Sequence, residues 1–279
     1  MQNYIAIDLP KESLKTAYLE VGDKSLPTIL FIHGNSSSKE TFKKQASSLK
    51  NSYHLIAVDL PGHGGTEALK NSKYSLSLFK EFLLSFIRAL DLEVHTLMGH
   101  SLGGHICLQT MNSISAQRLI LWGTPPMTNP PVMEKMFAPN PSSALLFKNE
   151  LNEEELQKLY ESCFSQRSSQ GFLEYSEAFR KTDHEFREGF FQEFTKLLYQ
   201  DEFLELDKFP GQVLFIHGKE EKLINKGYLV ENCIDFQVEL VEGAGHFTHL
   251  DAPDLFNMAC LKFLSTNSKN INLTMETSY

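Results

Sequence analysis

The stretch LMGHSLGGHI (residues 97–106) sets one serine among three glycines. Glycine is favoured where a backbone takes an unusual dihedral or lies close against another segment. Within the stretch, Gly99-His100-Ser101-Leu102-Gly103 fits G-x-S-x-G. That pattern carries chemistry when a strand enters it and a helix leaves it, because the sharp turn between them exposes the serine hydroxyl. EVHTLMGH (93–100) is a short apolar run that reads as a buried strand, and the residues after Ser101 open a helical pattern. Ser101 is therefore the candidate nucleophile. The helix N-terminus behind it offers backbone N–H groups to a developing negative charge.

Working outward, TILFIHG (28–34), YHLIAVDL (53–60) and RLILWG (118–123) read as further buried parallel strands. Between them, LSLFKEFLLSFIRALD (76–91) places Phe79, Phe82, Leu83, Phe86, Ile87 and Leu90 on one helical face. Alternating strands and helices predict an α/β fold, an open and mostly parallel sheet flanked by helices. The alternation stops at Pro125. NEEELQKLYESCF (152–164), GFLEYSEAFRKT (171–182) and DHEFREGFFQEFTKLLYQ (183–200) read as helices. Strands resume with GQVLFIHG (211–218) and FQVELVEGAG (236–245), and PDLFNMACLKFL (253–264) reads as a closing helix. The expected division is a core of residues 1–124 and 211–265, a helical cap at 125–210, and a disordered polar tail at 266–279. The cap region holds 14 of the 31 aromatic residues. Its own packing and a lid over an apolar pocket would each call for them.

The chain's 279 residues suit one large domain or a core with an insertion. A formal net charge of −9 argues against nucleic acid and anionic membrane surfaces as partners. The four cysteines are widely spaced and read as reduced thiols. The first residues lack an apolar leader and no run is long enough to span a membrane, so a cytoplasmic protein is expected. The oligomeric state stays open.

A serine hydroxyl needs a base, and in this arrangement the order along the chain is serine, acid, histidine. His246, in EGAGHFTH after the last strand, is the candidate base, with His249 as competitor. His100 and His105 read as packing around the turn, His33 and His63 as turn residues. The acid should follow VLFIHG, where GKEEKLI offers Glu220 and Glu221. A carboxylate there would hold the imidazole's tautomer and stabilise the imidazolium. For the oxyanion, the candidate donors are the backbone N–H groups of Leu102 and of Asn35 in HGNSSS. Ser36, Ser37 or Ser38 could also simply cap a helix starting at Lys39. HFTHLD (246–251) has the look of a metal cluster but lacks the further ligands a zinc hydrolase needs, so no metal and no cofactor are expected.

HGNSSS, DLPGHGGT (59–66), GHSLGGHI, GTPP (123–126) and GAGH stand in an order and spacing that resembles the α/β-hydrolase superfamily, over nearly the whole chain except the tail. HGNSSS, DLPGHG, SLGGHI, GTPP and KTDHEFREGFFQEF (181–194) are similar to stretches of the capped members that open N-acyl homoserine lactones. In that group the acid is a glutamate three residues after the strand's final glycine, which is Glu221 here. The resemblance also implies a cap tyrosine on the lactone. Tyr160 lies in a comparable helix at a different offset, and Tyr160 and His100 are carried as substrate-binding candidates. The expected activity is hydrolysis of a small ester or lactone with an apolar acyl group. The alternatives are a broad carboxylesterase, a C–C bond hydrolase and, from another class, a ligand receptor on the same fold.

Overall fold

The computed structural model describes residues 2–266; the expected tail lies almost wholly outside the described residues. The strands are β1 (Gln2–Leu9), β2 (Glu12–Val21), β3 (Thr28–Ile32), β4 (His54–Val58), β5 (Val94–His100), β6 (Arg118–Trp122), β7 (Gln212–Gly218) and β8 (Gln237–Val241). They form one sheet in the order β1-β2-β4-β3-β5-β6-β7-β8. From β4 to β8 every neighbour is parallel, while β1 and β2 pair antiparallel with each other and β2 antiparallel with β4.

The parallel strands are buried on both faces, so their sequences are solid apolar runs. Successive residues alternate between two cores. In β3, Leu30 and Ile32 enter one core and Ile29 and Phe31 the other; in β6, Leu119 and Leu121 oppose Ile120 and Trp122. Helix α1 (Lys43–Leu49) joins the core of Ile29. Helix α2 (Leu76–Ala89) joins the opposite core, burying Phe79, Phe82, Leu83, Phe86 and Ile87, and Ser75 caps it by accepting the Leu78 N–H at 3.2 Å. Helix α3 (Leu102–Thr110) starts directly after Ser101.

Between β6 and β7 lie α4 (Met133–Met136), α5 (Glu153–Cys163), α6 (Ser169–Lys181), α7 (Phe186–Phe194) and α8 (Glu202–Lys208), with no strand. The expected helix at 183–200 is shorter: α7 ends at Phe194, Leu197 takes φ +57°, and Asp201 caps a separate α8 by accepting from Phe203 and Leu204. After β7 come α9 (Lys226–Asn232), α10 (Thr248–Asp251) and α11 (Pro253–Ser265). Among the described residues no helix is long and apolar enough to cross a membrane. All four cysteines are buried free thiols.

Candidate active site

Ser101 sits at φ +52°, ψ −118°, a left-handed backbone that a non-glycine residue adopts only under constraint. The constraint is visible. The Ser101 N–H donates to Trp122 O at 2.9 Å, and Ser101 O accepts from Gly104 N at 2.9 Å and Thr124 Oγ1 at 3.0 Å. The glycines make room for the turn. A Cβ on Gly103 would stand 2.2 Å from Ile32 O, and one on Gly99 would stand 2.6 Å from Gly103 O. Both obstacles are backbone, so neither can step aside.

The structure brings His246 and Glu221 together. His246 Nδ1 donates to Glu221 Oε2 at 2.7 Å, and Glu221 Oε1 accepts the Leu223 N–H at 2.7 Å. Burial pushes the Glu221 carboxyl up, but His246, His217 and the Leu223 N–H outweigh it, leaving the pKa below the usual carboxylate value. Glu220 points elsewhere: it is exposed, and its carboxylate accepts the Ala244 N–H at 2.8 Å. His249 is fully engaged, accepting from Trp122 Nε1 at Nδ1 and meeting Thr41 Oγ1 through Nε2, each at 2.8 Å. Burial drives it down to about 3.

The loop bearing His246 is anchored by Asp251, which accepts the N–H groups of Gly245, Ser165 and Gln166 at 2.8, 2.9 and 3.0 Å. With His249 and Asp251 so occupied, HFTHLD is a set of structural bonds. Among the described residues no group of three His, Cys, Asp or Glu side chains is disposed to hold a metal.

The imidazole of His246 lies against the backbone that supports Ser101. The Cβ position of Gly123, next to the Trp122 carbonyl that binds Ser101 N, is 2.8 Å from His246 Cε1. No hydrogen bond joins Ser101 Oγ to the ring here; contacts of this kind commonly tighten only with substrate bound.

On the other side of Ser101, the loop after β3 comes close: the Cβ position of Gly34 is 3.1 Å from Ser101 Cβ. Asn35, Ser101 and Leu102 share one cavity. Among the described residues, neither the Asn35 nor the Leu102 N–H has a partner within the protein. Ser38 precedes the short 3₁₀ turn Lys39–Phe42 without a side-chain cap, so the serines of this loop do not act as caps. Ser36, at φ +55°, instead donates to Asn35 Oδ1 at 2.6 Å. The loop is tied to the segment after β4 by a buried ion pair, Lys39 Nζ to Asp59 Oδ2 at 2.8 Å, and Asp59 also accepts the Lys39 and Gly65 N–H groups.

The cavity holds about 90 Å³. Besides Asn35, Ser101 and His105 its walls are Leu76, Leu102, Met127, Met133, Phe137, Leu146, Phe147, Phe190 and Phe194. Nine apolar side chains out of twelve favour an apolar ligand part over a charged one. All six of the cavity's phenylalanine and methionine residues come from the segment between β6 and β7 that the sequence marks as aromatic-rich.

Two expected contacts are absent from this wall. Tyr160 is buried in a cluster with Phe164, Phe172 and Tyr175, and its hydroxyl is taken by Ser168, accepting the N–H at 3.2 Å and donating to the carbonyl at 3.3 Å. His100 is buried beneath the turn, stacked on Trp122, and its Nε2 donates to His246 O at 3.0 Å. Burial, with His246 and His249 nearby, holds its pKa well below the usual histidine value. Conversely His105, read from sequence as packing, lines the cavity and pairs through Nδ1 with the buried Glu202 at 2.9 Å.

Residues 29–259 match the model of the alpha/beta hydrolase family. The chain belongs to that family. Among curated relatives, the magnesium-chelatase 30 kDa subunit of Rhodobacter capsulatus is 29% identical over 102 residues, covering 37% of this chain and only 36% of that relative. Epoxide hydrolase 2 of Caenorhabditis elegans is 25% identical over 282 residues, covering 92% of this chain and 79% of that one. Among solved structures, the N-acyl homoserine lactonase AidH complexed with N-butanoyl homoserine superposes with a TM-score of 0.82 at 22% identity, covering 94% of this chain and 96% of that one. At that identity the likeness concerns the fold.

Proposed function

We propose that this chain is a serine hydrolase that opens a carboxylic ester or lactone through an acyl-enzyme on Ser101. The observation that carries the reading is the buried His246–Glu221 pair, Nδ1 to Oε2 at 2.7 Å, beside a serine held at positive φ. Glu221 fixes the imidazole with its proton on Nδ1, so Nε2 is the basic nitrogen. His246 takes the Ser101 proton as Oγ attacks the carbonyl carbon. The Asn35 and Leu102 N–H groups receive the charge on the carbonyl oxygen. As the tetrahedral intermediate collapses, the C–O bond breaks and the leaving alkoxide takes the proton from His246. Water, deprotonated by His246, then releases the acyl group and regenerates Ser101.

The substrate proposed is an N-acyl homoserine lactone. The apolar cavity suits a neutral ring with an apolar chain, and three of the stretches similar to the lactone-opening hydrolases, HGNSSS, SLGGHI and KTDHEFREGFFQEF, contribute Asn35, Ser101, Leu102, His105, Phe190 and Phe194 to its wall. Residues 125–210 act in this reading as its cap. An epoxide-hydrolase reading is disfavoured by Ser101 itself, since that chemistry uses a carboxylate at the turn.

The test is a rate comparison of short-, medium- and long-chain N-acyl homoserine lactones and nitrophenyl esters, with wild type and Ser101→Ala. Lactone opening with kcat/KM above about 10⁴ M⁻¹s⁻¹, within the ordinary enzyme range, and an inactive variant would support the reading. Turnover of nitrophenyl esters alone would retain the serine mechanism and discard the lactone.

A further inference from the structure

His105, on the wall of the cavity beside Ser101, belongs to a second histidine–carboxylate pair. His105 lies four residues beyond Ser101 in the first turns of α3, its N–H donates to Ser101 O at 3.2 Å, and both residues line the cavity. Its Nδ1 meets Glu202 Oε2 at 2.9 Å and Oε1 at 3.1 Å. Glu202, on α8, is completely buried and also accepts the Met127 N–H at 2.9 Å and Gln109 Nε2 at 3.3 Å. The carboxylate is thus locked by three partners and fixes the imidazole's orientation. With the Nδ1 proton committed to Glu202, the neutral ring keeps a lone pair on Nε2. Among the described residues, nothing bonds that nitrogen.

The setting makes the free nitrogen informative. Nine of the twelve residues lining the cavity that His105 shares are apolar. An acceptor enclosed by an apolar ligand would lose its water without recompense, which costs free energy. A pocket meant only for a hydrocarbon chain would not hold it.

Resting on the reading that Ser101 is acylated in this cavity, we propose that His105 is a specificity-determining residue. Its Nε2 accepts a hydrogen bond from an N–H or O–H donor that the substrate carries close to the scissile carbonyl. The substrate class is then an ester or lactone with a secondary amide or hydroxyl near its reacting carbon, rather than a plain alkyl ester. Glu202 is the positioning residue that sets the tautomer.

The test uses two esters that release the same nitrophenolate: the p-nitrophenyl ester of N-hexanoylglycine, which has the N–H, and its analogue with oxygen in place of N–H. The readout is the ratio of their kcat/KM values in wild type and in the double variant His105→Leu/Glu202→Leu, which leaves no buried charge unpaired. The ratio should fall by about tenfold, the worth of one hydrogen bond. An unchanged ratio would overturn the proposal, and so would a wild-type preference for the oxygen analogue that the variant abolishes.

Should the variant not fold, binding of the same pair to Ser101→Ala, with His105 intact, gives the answer. Tighter binding of the N–H compound supports the proposal and equal affinity overturns it. Failure of the lactone reading is separate: homoserine lactones would stay closed while this ratio still depended on His105.

Discussion

Arg187, buried on α7, donates its Nε–H to Ser36 Oγ at 2.8 Å, and Ser36 passes the contact on to Asn35 Oδ1. The rest of the guanidinium holds Asn149 O at 2.9 Å and Phe179 O at 2.6 Å, and its plane lies 3.5 Å over the Phe179 ring. Asn35 closes the connection by donating Nδ2 to Leu146 O at 2.9 Å. The helical segment after β6 is thus wired to the loop that carries the Asn35 N–H. Burial of a cation without an ion-pair partner is costly unless hydrogen bonds and a facing ring offset the lost water, as these three bonds and Phe179 do here.

Replacing Arg187 by Met should therefore lower stability by about 2–4 kcal/mol, through carbonyls left unpaired. It should also lower kcat by about 10- to 100-fold, in proportion to misplacing one oxyanion donor, with a smaller change in KM. Arg187→Lys should not restore kcat, because one ammonium cannot span these three acceptors. Urea unfolding and steady-state kinetics check both parts. Lost stability with unchanged kcat would confine Arg187 to a structural role.

The two adjacent glutamates should behave differently. Glu221→Gln cannot hold the His246 tautomer in the same way and should lower kcat by about 10³- to 10⁴-fold. Glu220→Gln keeps an oxygen for the Ala244 N–H and should stay within about threefold of wild type. The two kcat values settle the assignment, and the reverse order would transfer the role to Glu220.

The turn should not tolerate a methyl group. Gly103→Ala places Cβ 2.2 Å from Ile32 O, with His33 O also within 2.6 Å. Overpacking against immovable backbone should cost at least about 3 kcal/mol, read as a lower denaturation midpoint with activity lost in parallel.

Acid should unfold the protein early. His33, His63, His100, His217 and His249 are all held below the ordinary histidine pKa, chiefly by burial, with His217 at about 4 and His249 at about 3. Their folded forms resist protonation while the unfolded chain takes protons near pH 6.5. Stability is therefore full above that pH and falls as pH drops toward the folded values, by up to about 1.4 kcal/mol per pH unit for each group. The depressed Glu221 adds loss of the same sign below about pH 4. Urea midpoints between pH 7 and 5 check the slope, and a flat profile there would contradict the burial of these rings.

Much of this architecture is legible in the sequence because parallel strands buried on both faces write themselves as solid apolar runs. The hairpin β1–β2 is not legible that way. QNYIAIDL alternates buried and exposed side chains, the pattern of an edge strand with one wet face. The serine turn is readable because its glycines are demanded by contacts within a few residues and against β3. The choice of Glu221 rests on a resemblance, and nothing in GKEE separates two adjacent carboxylates; the fold does so by burying one and exposing the other. His105–Glu202 is 97 residues apart, and Arg187–Ser36 is 151 apart. Pairings of that span have no local signature. Tyr160 illustrates the converse: its helix is correctly placed, but the partner of its hydroxyl, Ser168, is set by how α5 meets α6.

The central claim is an acyl group on Ser101. The direct measurement is rapid acid quenching of the enzyme during turnover of a p-nitrophenyl acyl ester, followed by mass spectrometry of the peptide spanning residues 97–106. The account predicts one acyl group on Ser101 in wild type, none in Ser101→Ala, and a loss of at least about a thousandfold in kcat for that variant. An acyl group on another residue, or near-normal turnover by Ser101→Ala, would contradict it.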